Sequence, residues 1–102
     1  MCSMKYSKDE IINAILKYLN KNKPNRTWVF KNTCVSSCDH INYSIVGVDN
    51  ERNEYPLISV NYLCGEEHTA KKTMIDTFIL LNMNIFCDLN QFIMKMELNG
   101  FL

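Results

Sequence analysis

Three short segments rich in β-branched and aromatic residues follow one another, with a helical pattern on either side of them. They cover residues 27–30, 41–48 and 55–63, and the polar residues 49–53 form a turn between the last two. Consecutive strands that are joined by short connections usually pair with each other. We therefore expect a three-stranded antiparallel meander.

The first helix is predicted over residues 8–21. Ser7 and Glu10 have the spacing of a capping box, and apolar residues then recur at helical spacing. With two helical segments after the strands, the predicted fold class is α+β. The predicted order is α-β-β-β-α-α, with the helices packed on one face of the sheet. The core is expected to contain Ile12, Ile15, Leu19, Phe30, Val46, Ile58, Val60, Ile75 and Phe78.

Two N-cap residues mark the C-terminal helices in the sequence. Thr69 is the expected N-cap of a helix that ends near Leu81. Asp88 and Gln91 have the spacing of a second capping box, which predicts a short closing helix.

Composition predicts one domain spanning residues 1–102, since 47% of the residues are apolar and 22% are charged. Eleven Lys and Arg residues balance eleven Asp and Glu residues, so no net charge draws the chain to nucleic acid or lipid. Residues 1–10 lack the pattern of a signal peptide, and residues 74–87 are too short and too polar to span a membrane. We therefore expect a cytoplasmic protein without a membrane partner.

Cysteine and histidine residues occur in two short clusters. A tetrahedral zinc ion takes four thiolate or imidazole ligands, often presented as closely spaced pairs. The predicted ligands of a structural zinc are Cys34, Cys38, Cys64 and His68. The alternative interpretation is that these cysteines are small buried residues or lie in solvated loops. A Cys64–His68 nucleophilic pair would make the protein an enzyme, but no orienting group or oxyanion motif accompanies it, so we expect no catalysis.

Charge is distributed unevenly along the chain. Residues 11–37 carry basic side chains and no acidic ones, whereas residues 49–67 are mainly acidic. Such runs are usually solvated surface, but they also serve for docking on a partner of opposite charge. The candidate partner-binding residues are Asp49, Glu51, Glu54, Glu66 and Glu67. The alternative contact surfaces are the basic residues Lys21, Lys23 and Arg26, or the closing helix at Phe92 and Met96.

The order of one helix, three strands and one helix resembles a double-stranded RNA-binding domain. The segments that carry the resemblance are residues 28–30, 38–40 and 68–72. In that family the lysines at the start of the second helix, here Lys71 and Lys72, would grip phosphate groups. A duplex RNA-binding module is therefore the alternative function.

Residues 49–55 and 91–99 are also similar to segments of a small anti-CRISPR protein family of bacterial phages. These proteins are inhibitors without enzymatic activity that bind and block the nuclease Cas9. The resemblance implies a phage-encoded interaction protein whose partner is a Cas nuclease in the cytoplasm of a bacterial cell. This is the preferred functional interpretation of the sequence.

Overall fold

The computed structural model describes residues 6–34 and 40–102, and the order of its helices and strands confirms the predicted α+β fold. The sheet follows the first helix, and two helices follow the sheet. In chain order, the elements are α1 (Lys8–Asn22), β1 (Thr27–Cys34), β2 (His40–Val48), β3 (Glu54–Leu63), α2 (Glu67–Leu81) and α3 (Leu89–Leu98).

The start of α1 has the predicted capping box. The Ser7 hydroxyl accepts a hydrogen bond from the Glu10 backbone N–H at 3.1 Å, and the Glu10 side chain accepts one from the Ser7 backbone N–H at 2.8 Å. These two bonds satisfy N–H groups that lack partners within the first turn of a helix.

The sheet is the predicted meander, with the strand order β1-β2-β3 and antiparallel pairing throughout. Thr27 pairs with Val48, and Val48 pairs with Glu54, so the start of β1 lies beside the β2–β3 turn. A register shift leaves Leu57 as an extra residue in β3. The strands are longer than the sequence predicts, chiefly at the end of β1.

The hydrophobic core lies between the helices and one face of the sheet. Most of the predicted core residues are buried in it, while Phe30 and Val60 are half-buried and pack against its margin. Val46 is also buried, but it lies outside this core, where its strand neighbours are Val29 and Pro56. The aromatic centre of the core consists of Phe78, Phe86 and Phe92.

The prediction for the start of α2 was wrong, whereas the N-cap predicted for α3 is confirmed. The N-cap of α2 is Glu66, so Thr69 lies inside the helix, where its carbonyl accepts a hydrogen bond from the Thr73 hydroxyl. At α3 the Asp88 carboxylate accepts a hydrogen bond from the Gln91 N–H at 2.8 Å, so Asp88 is the N-cap as predicted. The Gln91 side chain accepts the N–H of Cys87 and not that of Asp88, so only half of the predicted capping box is formed. None of the helices in the described residues is long and apolar enough to cross a membrane.

Candidate interaction site at the β2–β3 turn

Residues 49–54, which we call the acidic turn, are organised by the side chain of Asp49. One carboxylate oxygen accepts the backbone N–H groups of Glu51 and Asn53, both at 2.9 Å. The other oxygen accepts the Asn53 amide at 3.2 Å and the Tyr55 hydroxyl at 3.1 Å. Asp49 was a predicted partner-binding residue, but its carboxylate is engaged within the turn.

These hydrogen bonds lower the pKa of Asp49, and the largest contribution is that of the Asn53 backbone N–H. The ionised carboxylate therefore stabilises the turn at neutral pH. This contribution is present above the unfolded pKa of about 3.8 and is lost as the pH falls through the lower pKa of the folded state.

Arg52 gives the acidic turn its unusual backbone conformation. Its φ is +67°, the left-handed region that glycine normally occupies, and its N–H donates to the Asp49 carbonyl at 3.1 Å. The pattern resembles the three-residue hairpin loop, in which a residue in this conformation follows a tight turn. A non-glycine residue there costs roughly 1 kcal/mol, so the surrounding hydrogen bonds hold the turn in a strained conformation.

The acidic turn is also supported by the connection between α1 and β1. The Arg26 guanidinium lies 3.8 Å from the centroid of the Tyr55 ring, and the Tyr55 hydroxyl donates to Asp49. Stacking of a guanidinium on an aromatic ring is attractive. Arg26, Tyr55 and Asp49 thus form a continuous set of contacts that fixes the turn against the sheet.

Glu51 and Glu54 differ in how free their carboxylates are. The Glu54 carboxylate lies 2.5 Å from the Lys31 ammonium, and both side chains are nearly half exposed, so solvent weakens the pair. Glu51 is exposed and has no side-chain partner among residues 6–34 and 40–102. Glu51 is therefore the carboxylate of the acidic turn that is available to a partner.

Glu66 and Glu67 lie at the opposite end of β3 from the acidic turn. The strand has ten residues, which corresponds to about 30 Å. Glu66 is the N-cap of α2 without a side-chain capping bond, and Glu67 accepts a hydrogen bond from the Gly65 N–H at 3.4 Å. The five predicted partner-binding residues therefore form two separate groups.

The basic segment (residues 11–37) and the acidic turn are separate along the chain but meet in the structure. Two members of that segment, Arg26 and Lys31, contact Tyr55 and Glu54 at the acidic turn. The antiparallel register causes this, because it places the start of β1 next to the end of β2.

The closing helix does not offer the apolar surface that we considered as an alternative. Phe92 and Met96 are completely buried, and the exposed apolar residues of α3 are Met94 and Leu98. Residues four positions apart lie on the same face of a helix. Phe92 and Met96 therefore face the core together.

The predicted zinc ligands lie towards one end of the sheet. Cys34 is aligned through Ile41 with Tyr62, and Cys64 follows two residues after Tyr62. His68 lies in the first turn of α2, and all three predicted ligands in the described part of the chain are exposed. Cys38 lies outside the described residues. No three His, Cys, Asp or Glu side chains within residues 6–34 and 40–102 are grouped as metal ligands.

The two lysines at the start of α2 form ion pairs within the protein. The Lys71 ammonium lies 2.9 Å from the Asp9 carboxylate of α1, and its side chain is only 21% exposed. The hydrogen bond to Asp9 raises the pKa of Lys71 above its usual value. Lys72 pairs with Asp76, one turn further along α2, at 2.7 Å. Lys71 therefore links α1 to α2.

Sequence reasoning missed the structural roles of Arg26, Tyr55 and Asn20. The first two meet only when the strands are in register, since 28 residues separate them along the chain. Asn20 on α1 bonds both backbone groups of Trp28, accepting from its N–H at 2.8 Å and donating to its carbonyl at 3.2 Å. Asp49 did carry a local signal, because the side chain of an Asp in a turn often accepts the backbone N–H two residues further on.

Replacing Arg52 with glycine is expected to raise the free energy of unfolding by about 0.5 kcal/mol. Glycine adopts a positive φ without the steric cost that arginine has, although its greater freedom in the unfolded chain offsets part of the gain. Urea denaturation measures the change. The control is Arg52→Ala, which removes the same charge but keeps the steric cost of a positive φ. This variant should not be more stable than the wild type. Equal stability of the two variants would contradict strain at this position.

Comparisons with known proteins give no relative for this chain: no family model, curated protein or solved structure matches it.

Proposed function

We propose that this protein is a non-enzymatic inhibitor, encoded by a phage, that binds and blocks a Cas nuclease in the cytoplasm of a bacterial cell. The acidic turn is the contact. The supporting observation is that this exposed turn is held in one conformation by four hydrogen bonds to the Asp49 carboxylate and by the contact of Arg26 with Tyr55.

A loop that is already ordered loses little conformational entropy when it binds, so more of its interaction energy appears as affinity. The acidic turn has this property although it lies on the surface, and it presents the free carboxylate of Glu51. Cas nucleases hold their guide and target strands in positively charged channels. Glu51 would therefore meet Lys and Arg side chains on the nuclease.

Reversing the charge of Glu51 tests this contact. We expect Glu51→Lys to slow association with a purified Cas9–guide RNA complex by roughly 3- to 10-fold at low salt, because the variant loses attraction and adds repulsion. The thermal midpoint should change little, since the side chain is exposed and unpaired. Surface plasmon resonance at two salt concentrations measures the association rate.

The matched control is Glu66→Lys, which makes the same charge change on an exposed glutamate at the other end of β3. It should leave the association rate close to that of the wild type. Equal slowing by both variants would indicate a general effect of net charge. An unchanged rate for Glu51→Lys would remove the acidic turn from the mechanism.

The alternative function is binding of duplex RNA, and the order of α1, the three strands and α2 favours it. In that function Lys71 and Lys72 would contact phosphates, and both would have to leave their partners Asp9 and Asp76. A 20-base-pair RNA duplex distinguishes the two functions. Submicromolar binding that weakens steeply with salt, and that is lost on joint replacement of both lysines by glutamate, would support the RNA-binding alternative.

A structural zinc is a second part of the proposal, with Cys34, Cys38, Cys64 and His68 as its ligands. Binding of a metal by the folded chain alone would add to stability. We expect about one zinc per chain by elemental analysis, with the metal lost in Cys64→Ser and retained in Cys87→Ser. Cys87 is a matched control because it is also exposed and is not a predicted ligand. Metal-free protein after purification without chelator would contradict the site.

A further inference from the structure

The two edge strands of the sheet, β1 and β3, differ in how well they are protected from pairing with another chain. The edge formed by β1 is protected. Asn20 occupies the backbone N–H and carbonyl of Trp28, in the way that a neighbouring strand would. Lys31 adds a charge in the middle of the same strand. Covering and charging an edge strand are the usual means by which proteins prevent pairing with other chains.

Pro56 and the bulge at Leu57 interrupt the edge formed by β3 near its start, but residues 58–63 of the strand have neither of these features nor a charged side chain. No strand within residues 6–34 and 40–102 pairs with its outer side. Residues 55–65 carry no charged side chain, and Leu57 and Leu63 are exposed by 37% and 48%. A long, uncharged edge strand with exposed apolar residues favours pairing with a further strand.

Successive residues of an antiparallel strand direct their backbone N–H and carbonyl groups alternately to one side of the strand and to the other. This alternation identifies the backbone groups of β3 that face outward. Because Asn20 bonds Trp28 at the outer edge of β1, Trp28 and its partner Gly47 form a pair without mutual hydrogen bonds. Applying the same alternation across β2 directs the N–H and carbonyl groups of Ser59, Asn61 and Leu63 away from β2. The backbone groups of these three alternate residues therefore point to where a further strand would lie and can form a ladder of hydrogen bonds with it.

We propose that this edge pairs with β3 of a second copy of the chain, giving a continuous six-stranded sheet about a twofold axis. Pro56 has no N–H to donate and ends the ladder on one side. Antiparallel pairing about Val60 then joins Ser59 to Asn61 of the second copy by backbone hydrogen bonds, and this is the register that brings the exposed side chains of Leu57 and Leu63 of the two copies side by side. A strand without charges suits a second copy, since twofold symmetry brings like segments together without repulsion.

The test is the molar mass in solution, measured by sedimentation equilibrium across 1–200 µM, a range chosen on the order of weak specific complexes. The wild type should approach twice its mass of 11.9 kDa as the concentration rises. Leu57→Lys/Leu63→Lys should remain monomeric, because it places two ammonium groups opposite each other at both ends of the ladder. Leu57→Lys/Leu63→Glu is the matched variant, and it should form the dimer again through opposite charges.

Circular dichroism of both double variants checks that they fold, and their thermal midpoints should lie close to that of the wild type. A wild type that stays at 11.9 kDa up to 200 µM would overturn the proposal. Dimerisation of Leu57→Lys/Leu63→Lys would overturn the pairing at β3. Monomeric behaviour of Leu57→Lys/Leu63→Glu beside a dimeric wild type would overturn the register.

Discussion

Replacing Phe78 with alanine is expected to lower the free energy of unfolding by about 4 kcal/mol, the largest effect that we predict. Phe78 is completely buried, and its ring centroid lies 5.8 to 6.2 Å from those of Tyr18, Phe86 and Phe92. The substitution removes the ring of α2 that contacts Tyr18 of α1 on one side and Phe86 and Phe92 on the other. Neighbouring aromatic rings are too rigid to fill the cavity, so most of the loss remains.

A domain of this size has a total stability of roughly 5 to 15 kcal/mol, so Phe78→Ala should be largely unfolded at moderate urea concentrations. Leu80→Ala is the control, because Leu80 lies two residues later on α2 and is 65% exposed. It should change the free energy by less than about 0.5 kcal/mol. Similar losses for the two variants would contradict the position of the core.

Replacing Gly47 with alanine is expected to cost about 2 kcal/mol, although alanine is otherwise acceptable in a strand. A Cβ atom at this position would lie 2.9 Å from two carbon atoms of the Trp28 ring and 3.0 Å from the Arg26 side chain. The ring has little room to shift, because its N–H donates to the Lys23 carbonyl at 3.0 Å. The added methyl group must therefore displace the strand or the ring.

A double-mutant cycle identifies the cause of this loss. In a Trp28→Leu background the ring is absent, so Gly47→Ala should cost at least about 1 kcal/mol less than it does in the wild type. Urea denaturation of the four proteins gives the coupling energy. Equal costs in the two backgrounds would show that the ring does not require glycine at position 47.

The order of the helices and strands could be predicted from the sequence, because the signals that mark where these elements begin are local. The capping residues Ser7 and Asp88 act within one turn of a helix, and the side chain of each accepts the predicted hydrogen bond from the N–H three residues later. The start of α2 was missed, because Glu66 caps that helix without a side-chain bond and leaves no such signal. Thr69 has a favourable residue type for capping but lies one turn too late.

The candidate site was harder to predict, because it depends on register. The sequence shows three carboxylates in the acidic turn, but it does not show that Asp49 is used within the turn. It also does not show that Lys31 pairs with Glu54 across β2. α3 presented a different difficulty, since apolar residues occur on more than one of its faces. Sequence pattern alone could not separate the buried Phe92 from the exposed Met94.

Inhibition of a Cas nuclease is the central claim, and DNA cleavage by a purified Cas9–guide RNA complex tests it most directly. The wild-type protein, added at increasing ratios to the complex, should reduce cleavage of a matched target in proportion to its concentration. Glu51→Lys should require more protein for the same effect, whereas Glu66→Lys should act as the wild type does. Cleavage that is unaffected by a large excess of folded wild-type protein would contradict the account.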